Sequence, residues 1–177
     1  MQLRGEWQLD VGVIEKDYVL GWMLAAIAAE SALADSWIFK GGTCLRKCYY
    51  ETYRFSEDLD FTIIDGGPEE PRELTDVFQR IASWLRSEAG IDLVIDEKTF
   101  TRKRNLRGNP TTQARIAHSG PNPQPTLPKL KLDITSDEVL VLLVVNDHGQ
   151  LRSYRVDRIA GVRPTNKPFK PKYMVEF

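Results

Sequence analysis

Two stretches far apart in the chain carry the same pattern, and together they restrict the fold more than anything else in the sequence. In Asp58 to Ile64, Leu59, Phe61 and Ile63 alternate with Asp58, Asp60 and Thr62. In Lys129 to Thr135, Leu130, Leu132 and Ile134 alternate with Lys129, Lys131 and Asp133. A period of two is that of a strand with one apolar face turned to a core and one polar face. A fold that uses both stretches contains a sheet with charged residues gathered on one side.

Helical periodicity supplies what covers the other side. Leu74, Val77, Phe78, Ile81 and Leu85 recur at helical spacing and predict a helix over 70–88, stopped by Gly90. Val19, Trp22, Met23, Leu24, Ala26 and Ile27 predict another over Glu15 to Leu33. Between them, Trp37-Ile38-Phe39 reads as a short strand ending at Gly41-Gly42, after which Thr43 is placed to cap a helix holding Leu45, Cys48 and Tyr49. Ile91 to Asp96 alternates as a strand, a further one is expected near Gln113 to Ala117, and Gly120 to Pro125 is a proline-rich loop. Val139 to Val145 is an apolar run suited to burial on both faces, and Arg163 to Phe177 reads as irregular.

The 177 residues, 42% hydrophobic and 28% charged, suit one folded domain rather than a disordered chain. No run approaches the roughly 20 apolar residues of a membrane span, and the first residues lack a signal peptide's apolar core, so the expected location is cytoplasmic. Cys44 and Cys48 have no companions at zinc-ligand spacing and are expected to be free thiols.

The net charge of −1 conceals an uneven division. Residues 1–97 hold 9 Lys/Arg against 19 Asp/Glu, whereas residues 98–177 hold 15 against 6. From Lys98 to Leu132 the chain carries Lys98, Arg102, Lys103, Arg104, Arg107, Arg115, Lys129 and Lys131 without one acid. Such a run is either a field for a phosphate backbone or a solvated face offset by the acidic half.

The chemistry is concentrated in Asp58-Leu59-Asp60. Strand geometry puts both carboxylates on one face, where they repel each other unless a divalent cation lies between them. Mg²⁺, or Mn²⁺, suits a site of one or two carboxylates completed by water and substrate phosphate. Asp133 is the candidate third acid of a two-ion arrangement, with Lys129 and Lys131 beside it to hold phosphate. Gly41-Gly42-Thr43, between strand and helix, offers backbone that a triphosphate can approach closely. Arg46 and Lys47 follow as further cations. Serine or cysteine hydrolysis is disfavoured, because His118 and His148 have no evident nucleophile partner and read as surface residues.

With those residues in view, the block from Phe39-Lys40-Gly41-Gly42-Thr43 to Arg54-Phe55-Ser56-Glu57-Asp58-Leu59-Asp60-Phe61 resembles the first motif of the nucleotidyltransferase AbiEii/AbiGii toxin family, which includes the MenT toxins. Leu130-Lys131-Leu132-Asp133 resembles that family's later strand with the third acid. The resemblance implies an α/β (α+β) nucleotidyltransferase fold of the DNA polymerase β-like superfamily, a twisted mixed sheet flanked by helices. It implies Asp58, Asp60 and Asp133 as metal-binding catalytic acids, Gly41, Gly42 and Thr43 at the triphosphate of an NTP, and Arg46, Lys47 and Lys131 beside it. It further implies a toxin of a toxin–antitoxin system linked to phage defence, with an antitoxin counterpart. The acceptor would be an RNA or protein hydroxyl, the 3′ end of tRNA among them, with Lys98 to Arg115 as the track for an RNA. The family's glutamate–lysine helix motif and R-D-x-x-D motif are not found after Val145. The expected organisation is therefore a core over 1–150 and an irregular 151–177, with the helical C-terminal portion absent. The alternative is a truncated or degenerate domain that binds nucleotide, RNA or a partner without turnover.

Overall fold

The computed structural model describes residues 11–49, 57–64, 66–106, 108–122, 125–136, 141–145 and 151–155. Its elements are α1 (Val11–Ala29), α2 (Ser31–Ala34), β1 (Trp37–Lys40), α3 (Gly41–Cys44) running into a π-helical turn (Leu45–Tyr49), β2 (Asp58–Ile63), α4 (Pro71–Ala89), β3 (Asp92–Val94), β4 (Phe100–Arg104), β5 (Pro110–Ser119), β6 (Lys129–Thr135), β7 (Val141–Val145) and β8 (Leu151–Arg155). They form two compact units, Met1–Asp137 and Glu138–Phe177. In the second, β7 and β8 pair antiparallel, so a strand lies within the segment expected to be irregular. His148 and Arg163 to Phe177 lie outside the described residues. No helix among the described residues is long and apolar enough to cross a membrane.

In the first unit six strands form a twisted mixed sheet in the order β1-β2-β6-β5-β3, with β4 joining β3 along the outer edge of β5. β2 and β6 run parallel at its centre, and the other pairings are antiparallel. The apolar sides of the two alternating strands, Leu59 and Phe61 with Leu130, Leu132 and Ile134, join Val19, Leu20 and Met23 of α1 and Leu74, Phe78 and Ile81 of α4 in one core. The opposite side of the central strands keeps its charged residues.

Local chemistry sets the boundaries. Helix α4 opens on Pro71, whose missing N–H is no loss in a first turn, and stops where Gly90 turns left-handed at φ 65° and donates its N–H to the Arg86 carbonyl. The first helix does not run unbroken to Leu33. At Glu30 the backbone is extended, the carboxylate accepts the Ala32 N–H at 3.4 Å, and Arg80 of α4 grips it through Nε at 3.1 Å and Nη2 at 3.0 Å. These bonds start a new turn where helical spacing alone predicts continuation.

Thr43 is not a helix cap. Lys40 occupies that position, while Thr43 is buried within α3 and its hydroxyl donates to the Asp58 carbonyl at 2.6 Å. His118 is not a surface residue either. It is fully buried on the core side of β5, and burial lowers its pKa below 6.5. The basic segment, expected to hold one short strand, forms most of a β4–β5 hairpin, with β5 ten residues long.

Candidate active site

The site is built on two adjacent parallel strands in matched register. Asp58 of β2 lies beside Lys131 of β6, and Asp60 beside Asp133. Parallel neighbours about 4.8 Å apart with equal side-chain phase put all four side chains on one face. Asp58, Asp60, Lys131 and Asp133 are thus brought together, as the alternation of the two strands implies.

Lys131 stands in the middle of the acids. Its Nζ lies 3.0 Å from Asp58 Oδ2 and 2.8 Å from Asp133 Oδ2. Hydrogen bonds first to Asp133 and then to Asp58 raise its pKa. The second oxygen of Asp133, Oδ1, is buried and has no hydrogen-bond partner. At Asp60 the nearby cations, Lys131 and Lys40, are outweighed. Burial, and then the negative charges of Asp133 and Asp58, raise its pKa above the ordinary carboxylate value.

The glycine turn meets this cluster from β1. Lys40 pairs with Asp60 across the β1–β2 ladder, which brings Gly41 against the Asp60 carboxylate. Gly41 has φ +79°, and a Cβ there would fall within 3.0 Å of Asp60 Oδ2. Only a bare Cα admits the carboxylate at this point. Thr43, through its bond to the Asp58 carbonyl, ties the turn to the start of β2. The π-helical turn that follows is a local widening often found at functional sites.

Arg46 and Lys47 ion-pair with Asp17 of α1, at 3.1 and 2.8 Å. A phosphate reaching them would compete with that carboxylate. Cys44 and Cys48 are free thiols, and burial followed by the nearness of Cys48 pushes Cys44 up to about 11. Cys44 therefore lacks the lowered pKa of an activated nucleophile. Sequence reasoning passed over Asp17, which anchors the two cations, and Lys40, which flanks Asp60. The β1–β2 pairing register, invisible in either strand alone, is the signal that would have found Lys40.

Among the described residues no three His, Cys, Asp or Glu side chains close around a point as an ion cage. The donor chemistry nevertheless fits a hard divalent cation. Three carboxylates share one face, their charge is only partly offset by Lys131 and Lys40, and a buried oxygen lacks a partner. Lys131 lies between two of these acids, Asp58 and Asp133.

The profile described as Nucleotidyl transferase AbiEii toxin, Type IV TA system, matches residues 22–150. The chain belongs to this AbiEii family. The match takes in every strand from β1 to β7 and so contains the whole acidic cluster and the glycine turn. No curated protein matches the chain. AbiEii proteins are nucleotidyl transferases of type IV toxin–antitoxin systems, which gives the class of enzyme and the kind of genetic system.

Proposed function

We propose that the chain is a divalent-metal-dependent toxin that transfers a nucleoside monophosphate from an NTP to the terminal hydroxyl of an RNA, with tRNA the leading acceptor. The observation that carries this reading is the cross-strand quartet of Asp58, Asp60, Lys131 and Asp133 beside a glycine that only a bare Cα can serve. In the transfer, the acceptor hydroxyl oxygen bonds to the α-phosphorus of the NTP. The bond from that phosphorus to the bridging oxygen of the β-phosphate breaks, pyrophosphate leaves with the electron pair, and the hydroxyl proton passes to solvent.

Asp58, Asp60 and Asp133 would hold Mg²⁺ or Mn²⁺, which supplies Lewis-acid charge for phosphoryl oxygens when bound. Gly41 and Gly42 leave room for the triphosphate to come close to backbone. Thr43 acts through its hydrogen bond, keeping the glycine turn and Asp58 in fixed relation. Lys131, once released from the carboxylates, is within reach of phosphate charge, whereas Arg46 and Lys47 contribute only if Asp17 yields them.

The test is incubation of the purified chain with each α-labelled NTP, Mg²⁺ and total tRNA, beside an Asp58→Asn/Asp60→Asn variant. Label passing to RNA only with both aspartates intact is the expected result. A second reading, a domain that binds nucleotide or RNA without turnover, draws on Lys131 already neutralising Asp58 and Asp133. Metal-dependent NTP binding without transfer of any base would favour it.

A further inference from the structure

The open face of the sheet holds more than acids. Beside them lies a trough of about 420 Å³ across β3, β4, β5 and β6, edged by Lys98, Lys103, Arg115, Lys129 and Lys131. The register explains the gathering. On β5, Arg115 sits directly opposite Lys131, Ala117 opposite Lys129, and Gln113 opposite Asp133. On β4, Thr101 and Lys103 share this side, while Phe100 and Arg102 turn to the helix side. One sequence run of basic residues is therefore divided by strand alternation into two populations.

The two populations differ in their partners. On the helix side Arg102 is bound by Glu69 and Glu70, and Arg104 donates to the Gly108 carbonyl at 2.7 Å. Among the described residues no carboxylate ion-pairs with Lys103, Arg115 or Lys129. The one acid at the trough's rim, Asp96, accepts from the Lys98 backbone N–H and the Thr99 hydroxyl. Cations placed directly across from one another on neighbouring strands repel. Such a face is favourable when a polyanion lies on it.

Topology gives this trough a place in the reaction. In the order β1-β2-β6-β5, the acids occupy the two central strands, the glycine turn lies on the β1 side, and the trough lies on the β5 side. Lys131 belongs to both the acidic cluster and the trough wall. The floor spans β6, β5 and β4, about 10 Å across at 4.8 Å per strand. A floor this narrow, with cations along its rims, is a track for one phosphate backbone. The floor residues Thr101, Gln113 and Ala117 are small or uncharged, so charge rather than base-specific contact dominates.

We propose that this trough binds a single RNA strand along its phosphates, with the 3′ end laid past Lys131 toward Asp133. The role of that strand as acceptor rests on the nucleotidyl-transfer reading, but the binding itself does not.

The experiment uses the full chain and a 5′-fluorescein-labelled, 12-nucleotide single-stranded RNA, titrated by anisotropy between 50 and 200 mM salt. Lys98→Gln/Lys103→Gln/Arg115→Gln is expected to weaken RNA binding at least tenfold and to reduce the salt slope by about 2, at roughly 0.7 per lost phosphate contact. Arg102→Gln, which removes one charge from the other side of the same strand, should change affinity less than twofold. Mn²⁺-dependent binding of a non-hydrolysable NTP analogue should stay within twofold in both variants, and circular dichroism checks that they fold. Unchanged RNA affinity in the triple variant, or an equal loss with Arg102→Gln, would overturn the proposal. Loss of nucleotide binding with RNA binding retained would overturn it too, and would assign the trough to the NTP. Because binding is scored without turnover, a chain that transfers nothing still decides the question.

Discussion

Gly41 has two separate reasons to be glycine, and they can be measured apart. Its φ of +79° costs an L-residue about 1–2 kcal/mol, and its Cα is where Asp60 comes to rest. Gly90 has the first reason without the second, since its φ is +65° and nothing lies within 4 Å of a Cβ there. Gly90→Ala should therefore lower the melting temperature by about 2–6 °C for a chain of this size, and Gly41→Ala by more, because its Cβ must also displace the Asp60 carboxylate. Only Gly41→Ala should abolish the rise in melting temperature that the proposed site predicts for the parent chain in Mn²⁺. An equal Mn²⁺ response in both variants would show that the close approach of Asp60 is irrelevant to the ion. At His118 the residue-scale argument concerns protons. Burial lowers its pKa below 6.5, Glu15 of α1 opposes that shift, and Lys16 adds to it. The unfolded chain then binds more protons than the folded one just below pH 6.5. Stability is full above that pH and falls as the pH drops toward the folded-state pKa. With neither ring nitrogen hydrogen-bonded, His118→Leu should flatten the melting temperature between pH 5 and 7. A variant as pH-sensitive as the parent would place the titration elsewhere.

Strand β6 and strand β4 show what local pattern reveals about an element and what it conceals. The alternation of Lys129 to Thr135 predicts β6 with its observed bounds, because every inward position is apolar and covered by helices. The same apolar faces fix which side of the sheet Asp58, Asp60 and Asp133 occupy, so their common face was legible, whereas the register that sets Asp60 beside Asp133 was not. Phe100 to Arg104 shows no such alternation. At this edge only Phe100 is buried, and Arg102, on the same side, reaches the carboxylates of Glu69 and Glu70 instead of the core. Charged edge strands resist further pairing, and the same charge hides them from a search for apolar periodicity. The trough was illegible for this reason, since which basic residues face it depends on the pairing of β4 with β5. Phe100 should accordingly hold the edge in place. Its ring lies 5.0 Å from that of Phe78 on α4, so Phe100→Ala should cost about 3–5 kcal/mol in denaturant unfolding. Arg102→Ala, at a solvent-exposed ion pair, should cost no more than about 1 kcal/mol. Comparable losses for the two would mean that β4 is held by its ion pairs.

Across the sheet-bearing unit, charge is sorted by face. The helix side matches cations with acids, while the open side separates an acidic cluster from a basic trough, and Lys131 joins them. This lysine is the charge that makes Asp58 and Asp133 tolerable neighbours. A divalent ion bound by those carboxylates would take over that task and free the lysine toward the trough. The two cations then compete for one place, which gives Lys131→Met effects of opposite sign. Without metal, loss of the ammonium leaves the acids uncompensated, and the melting temperature should fall by about 3 °C, the yield of roughly 1 kcal/mol. With Mn²⁺ the variant has no resident cation to displace, so its ion affinity should rise and its stabilisation by saturating Mn²⁺ should exceed the parent's, following the ratio of ion concentration to dissociation constant. Thermal melts of both chains across a Mn²⁺ series measure the two effects together. If Lys131→Met binds Mn²⁺ no more tightly than the parent, the ammonium is not holding the ion's place, and its bonds to Asp58 and Asp133 serve the fold alone.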